Sequence, residues 1–217
     1  MELDLQHRIT FGTATTYTTK EGVSRDIATG DTLAVFATAH TLTQSSTTYR
    51  NILANNPQLA RGSLESMEKL VVENTVNNFA EKMSVDYDIL YTTDDPNTVN
   101  TAKEILNSTA SPAAPNSGVV NVNIGKYKHV MFRLVATDAN GLVDSTKAAY
   151  WGLASSRVNG SQGYLSIEQE PTVEAPTAGS NAEEFSSEDW SFKGRASYAI
   201  VFVVGRGITL SRGNGEA

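Results

Sequence analysis

The side chains able to do acid–base or metal chemistry are few and scattered. The chain has three histidines, His7, His40 and His129, and no cysteine. None of the three stands in an HExxH motif or at close spacing to a carboxylate, so core or surface placement is expected for each. The lack of cysteine removes disulfides, thiolate ligands and cysteine nucleophiles together. Asp94-Asp95 could serve as a carboxylate dyad, but adjacent acids just before Pro96 are better read as a helix cap and a dipole partner. No GxSxG elbow, Walker loop or GxGxxG is present. The glycines of Gly205-Arg-Gly-Ile-Thr-Leu-Ser-Arg-Gly-Asn-Gly215 have no helix after them and read as a flexible basic tail. No cofactor is expected, and the chain reads as a non-enzyme.

Charge is more informative than motif. The net charge is -7, and the stretch from Val158 to Phe192 contains no Lys or Arg while carrying Glu168, Glu170, Glu174, Glu183, Glu184, Glu188 and Asp189. Those acids lack the spacing of an EF-hand loop, so a solvated loop or an intersubunit ion-pairing surface is expected rather than a calcium site. A short basic cluster, Lys126, Lys128, His129 and Arg133 with Tyr127 interleaved, is weak evidence for phosphate contact in a net negative chain. A partner subunit's acids suit it better. A hydrophobic share of 40% implies a real core. No run approaches the ~18 apolar residues of a membrane span, and the start, MELDLQHRIT, lacks the apolar region of a signal peptide. Cytosolic synthesis with no membrane partner is expected.

The elements that must position these groups are α+β in order. Apolar positions Leu64, Met67, Val71, Val72, Val76, Phe79 and Met83 predict one long helix over 63–83, capped by Ser63, with a slip in its stripe at Val71-Val72. A long hairpin over 8–38 is expected before it, and an extended polar connection over 41–56. After it come a strand at Tyr87–Thr92 and a helix opened by Asp95 and Pro96, with Val99, Ala102, Ile105 and Leu106 buried. Alternation at Val120, Val122 and Ile124 predicts a short strand, followed by strands at His129–Val135 and Lys147–Ala154 and a turn at Asp138–Gly141. Gly163–Glu170 is another strand and Pro171–Asn181 a loop. Tyr198–Val204, the most apolar β run, is expected to be a central strand.

One set of residues carries a resemblance. Leu5-Gln-His-Arg-Ile-Thr-Phe11, Ala37-Thr-Ala-His-Thr-Leu42, Ser46-Thr-Thr-Tyr-Arg-Asn51, the long helix, Thr93-Asp-Asp-Pro-Asn-Thr-Val-Asn-Thr101, Pro115-Asn-Ser-Gly-Val-Val-Asn-Val122 and Trp190-Ser-Phe-Lys-Gly-Arg-Ala-Ser-Tyr198 follow one another as in major capsid proteins of tailed bacteriophages. The chain resembles the HK97-type capsid fold along nearly its whole length. That resemblance implies a peripheral (P) domain over 1–86 and 183–217, holding an E-loop-like hairpin at 8–38 and a spine helix at 63–83. An axial (A) domain would occupy 87–182, and the last strand would return to pair within the P domain. The implied role is structural: self-assembly into an icosahedral head enclosing double-stranded DNA, located in the virion after synthesis in the host cytoplasm. Implied partners are copies of itself in pentamers and hexamers, scaffolding, portal or decoration proteins, and packaged DNA touched non-specifically on the inner face. Candidate intersubunit contacts are Arg8, Lys20, Glu21, Arg25, Glu183, Glu184, Arg206 and Arg212. An encapsulin-like cargo shell shares the fold, and a small hydrolase on the sheet after residue 87 is the alternative of a different class. The hydrolase would need His129 to converge with carboxylates.

Overall fold

The computed structural model describes residues 11–18, 22–109, 120–133, 144–160, 164–174, 193–202 and 205–215. The elements in order are β1 (Thr16–Thr18), β2 (Ser24–Asp26), β3 (His40–Leu42), β4 (Ser45–Tyr49), α1 (Arg61–Asn74), β5 (Ile89–Thr92), α2 (Pro96–Asn107), β6 (Lys128–Met131), β7 (Trp151–Ala154), β8 (Tyr164–Glu174) and β9 (Lys193–Phe202). They fall into two units, Met1–Leu165 with Val201–Ala217, and Ser166–Ile200.

The larger unit is organised on a sheet of order β6-β5-β7, in which β5 runs parallel to β6 and antiparallel to β7. Parallel strands need a crossover, and α2 supplies it. That helix forms as its residues dictate. Asp95 accepts from the Thr98 amide at 2.9 Å, Pro96 occupies the first turn, and Val99, Ala102, Ile105 and Leu106 are all buried. α1 packs into the same core: Leu64, Met67, Leu70 and Val71 cluster with Leu90, Ala102, Ile105, Trp151 and Leu153. One apolar core therefore runs across the border expected between residues 86 and 87.

The C-terminal segment is no loose tail. Ile208 and Ser211 bridge antiparallel to Ala154 and Trp151, while Leu210 bridges parallel to Ile52. Its backbone is bonded on both sides, with Leu210 N–H donating to Asn51 O at 2.9 Å and Thr209 N–H donating to Leu153 O at 2.9 Å. Ile208, Thr209, Leu210 and Ser211 are buried. The segment lies so close to β7 that a Cβ on Gly152 would come within 1.8 Å of Thr209 O. Glycine is required there by approach, not by backbone angle.

The long helix ends early. α1 spans 14 residues and stops at Asn74 rather than Met83, and it begins at Arg61, so Ser63 lies inside it. The Ser63 hydroxyl accepts the Ala60 N–H at 2.8 Å. Beyond Asn74 the chain turns back on itself: Val76 bridges to Lys82 and Met83 N–H donates to Thr75 O at 3.0 Å. The cause is local. Asn77 Oδ1 accepts from the amides of Phe79 and Glu81 at 2.9 and 3.0 Å, capturing donors that a helix would have used. The slip at Val71-Val72 marks where the stripe fails, since Val71 is buried and Val72 exposed.

Before α1 the chain makes two short antiparallel hairpins, β1 with β2 and β3 with β4. The first lies within the 8–38 window, but Asp31–Thr38 forms no strand there; it is an irregular loop that buries Ala34, Val35 and Phe36. The second replaces the expected polar connection over 41–56. Leu42 and Tyr49 from it pack on Val76, which anchors the turn after α1.

Residues 120–124 reverse their expected faces. Asn121 and Asn123 are 2% and 3% exposed, whereas Val120, Val122 and Ile124 are 71%, 70% and 50% exposed. They form turns, not a strand. Asn121 Nδ2 donates to Ile105 O at 2.6 Å and Ser108 O at 2.9 Å, closing the carbonyl end of α2. That demand outweighs the burial of three β-branched side chains.

In the smaller unit β8 pairs with β9. β8 continues through Pro171 to Glu174, where a loop was expected. The described part of the apolar run after Tyr198 thus pairs with the strand beginning at Tyr164 in a sheet of two strands. The turn at Asp138–Gly141 lies outside the described residues.

Candidate functional site

A polar network within residues 31–51 meets the start of the C-terminal segment at Gly205 and Arg206. His40, fully buried on β3, has Nδ1 2.8 Å from Asp31 Oδ2, and its Nε2 is 3.2 Å from both Val35 O and Asn51 Oδ1. Both ring nitrogens face acceptors. Asn51 Nδ2 donates to Val35 O at 2.7 Å and to Gly205 O at 2.9 Å, so one amide ties the irregular loop to the start of the C-terminal segment. Burial disfavours the ionised form of Asp31, but hydrogen bonds from Thr29, His40 and the Leu33 amide outweigh it and hold the carboxyl below its ordinary range.

Tyr49 stacks on His40 with ring centroids 4.8 Å apart, and the Arg206 guanidinium lies 5.4 Å from the Tyr49 ring centroid. Arg206 also donates to Asn78 Oδ1 at 2.5 Å, while its Nε is buried without an acceptor. Arg50 enters the same cleft and donates from Nε to Ile52 O at 3.1 Å. Burial raises the Tyr49 and Tyr87 hydroxyls above the usual tyrosine range, so both remain neutral donors.

Of the candidate intersubunit residues, Arg8, Lys20, Glu21, Glu183 and Glu184 lie outside the described residues. Arg25 is exposed on β2, and Arg206 and Arg212 flank the buried Ile208–Ser211 segment. Among the described residues, none of these three forms an ion pair, and the buried Nε of Arg212, like that of Arg206, has no acceptor. The basic cluster behaves differently. Lys126 reaches Glu68 Oε1 on α1 at 2.8 Å and Tyr127 donates to the same oxygen at 2.6 Å, so this chain's own acid partners them.

His129 is 3.0 Å from the Thr92 hydroxyl, with its pKa lowered by burial and by the charge of Lys103. Among the described residues no carboxylate reaches it. Asp95 is committed as the cap of α2, taking the Thr98 amide and hydroxyl at 2.9 and 2.8 Å. A polar cleft of about 430 Å³ opens beside it, lined by Gln58, Asn97, Thr101, Ser145, Thr146 and Asn214 among others. No group of three or more metal-ligating side chains occurs among the described residues, and no helix there is long and apolar enough to cross a membrane.

Sequence reasoning missed the Asp31–His40–Asn51 network, whose members lie 9 and 11 residues apart in an irregular loop and a hairpin that no periodicity relates, and the Arg50–Arg206 cleft, which only the C-terminal segment completes. One signal existed: His40, Tyr49, Arg50 and Asn51 all belong to the segments that carry the capsid resemblance. Comparison with family models, with curated proteins and with solved structures gave no match.

Proposed function

We propose that the chain is the building block of a self-assembling shell, a major capsid protein of the HK97 type that encloses double-stranded DNA. The supporting observation is the surface at Val120, Val122 and Ile124, three β-branched side chains at least half exposed within five residues. Single exposed apolar residues are ordinary, but a group of them is a surface that a partner covers. Asn121, buried between them, holds that surface on the end of α2, and Gly125 N–H adds a bond to Leu106 O at 3.2 Å. A shell subunit needs such fixed patches, because heterologous contacts pair one face of a copy with a different face of its neighbour. The order of the resembling segments supports the same reading independently of the structure.

Light scattering with negative-stain microscopy on the purified full chain tests it. Pentamers, hexamers or closed particles are expected. Substituting Asp at Val120 and Val122 should abolish them while leaving the melting temperature within about 2 °C, since exposed positions contribute little to stability. A strict monomer across salt and pH contradicts the proposal.

A further inference from the structure

The polar cleft of about 430 Å³ lies between the segment Gln58-Leu59, the first turns of α2, the 145–149 segment and Asn214. Its walls are fixed from behind. Pro57 O accepts from Trp151 Nε1 at 3.0 Å and from Ser211 Oγ at 2.7 Å, and Ala148 O takes the Thr93 hydroxyl. Gly213, at φ 66°, packs so closely on Ala149 that a Cβ there would collide with the Ala149 carbonyl. A site formed in advance binds without having to be ordered first. Its size suits a small molecule, toward the lower end of the range of about 300–1,000 Å³ that ligand pockets occupy.

The lining decides the class of ligand. Among the described residues that form it there is no Lys, Arg or His to hold an anion and no aromatic ring to stack on a flat heterocycle. Its one carboxylate, Asp95, already accepts the Thr98 amide and hydroxyl, and a hard cation needs several oxygens of that kind. What remains are groups that both donate and accept: the amides of Gln58 and Asn97 and the hydroxyls of Thr101 and Ser145. None of these four makes a side-chain hydrogen bond among the described residues. Asn97 and Thr101 stand one turn apart on the same face of α2, so both reach one ligand. Neighbouring hydroxyls of a sugar offer the same mixture of donor and acceptor, and Leu59, Ala148 and Ala149 give its C–H face an apolar surface. We infer that the cleft binds a neutral saccharide, a mono- or disaccharide unit, through Gln58, Asn97, Thr101 and Ser145. This goes beyond the shell reading and does not rest on it.

Amide NMR on the isotope-labelled full chain tests the site, with methyl glucoside, methyl galactoside, maltose and lactose as probes. Each is titrated to about 50 mM, well above the dissociation constant of about 1 mM expected of a few neutral hydrogen bonds. At least one saccharide should move the signals of Gln58, Asn97 and Asn214 saturably, and salt should not change its affinity. Asn97→Ala and Thr101→Val should each weaken binding several-fold, and the two together at least about tenfold. Exposed Lys69→Gln should bind like the parent chain, and melting curves confirm that each variant folds. Disaccharides binding more tightly than methyl glycosides assign the site to the end of a longer glycan, and equal affinities assign it to a free monosaccharide; both support the inference. No saturable shift at these amides with any of the four overturns it. So does parent-like binding by the double variant, and so does a response to inorganic phosphate with the saccharides silent.

Discussion

The segments 75–83 and 205–215 exchange the roles that their compositions suggest. The first continues an apolar helical stripe, yet it is a surface turn with Phe79 67% exposed. The second is rich in glycine and arginine, yet it bridges two neighbouring segments and its Leu210 is wholly buried. What separates them is where their backbone hydrogen bonds go. Residues 75–83 satisfy amides within the turn, through Asn77 and through Thr75. Residues 208–211 satisfy theirs on two other segments, around Ile52 and on β7, and the glycines are what allow the close approach. Side-chain periodicity decides burial only when the backbone has a partner to match it.

The contrast can be broken most strongly at Gly152. Gly152→Val drives a side chain into Thr209 O and Tyr91 Oη, so the C-terminal segment is expelled and thermal denaturation should show a loss of more than about 3 kcal/mol or no folded protein. Next, Leu210→Ala should cost about 3 kcal/mol in chemical denaturation through the cavity that it leaves. A loss below about 0.5 kcal/mol would return the segment to a tail.

Acid acts where the strand enters. Asp31 titrates lower in the folded chain than in the unfolded one, so the folded state binds fewer protons. Its contribution is complete above about pH 4 and disappears as the pH falls through the lowered value. Asp31→Asn should therefore flatten the decline in melting temperature below about pH 4 and lower stability at neutral pH. The smallest effect is expected at the other end of the comparison: Asn77→Ala removes two side-chain bonds to amides and should cost about 1 kcal/mol.

How much of this was legible depends on whether the cause was local. α2 was readable throughout, because Asp95, Pro96 and four apolar positions act within one helix. α1 was readable up to Asn74 and then not, because Asn77 competes for amides in a way that apolar spacing does not register. Alternation at 120–124 was real but faced the wrong way, since Asn121 is drawn inward by Ile105 O and Ser108 O. The Tyr198 run pairs with β8, and the bridges that complete the larger unit come from a glycine- and arginine-rich stretch that reads as a tail. The candidate site was least legible of all. Asn51 meets Gly205 across 154 residues and Tyr91 meets Thr209 across 118, distances at which spacing carries no signal.

Ile208–Ser211 completes the core of the larger unit, with Arg206 and Arg212 flanking it. Amide hydrogen exchange resolved along the chain tests that most directly. The amides of Thr209, Leu210 and Ser211 should exchange as slowly as those of β5 and β7, and far more slowly than the exposed amides of β2. Exchange over 208–211 as fast as that of β2 would contradict the account.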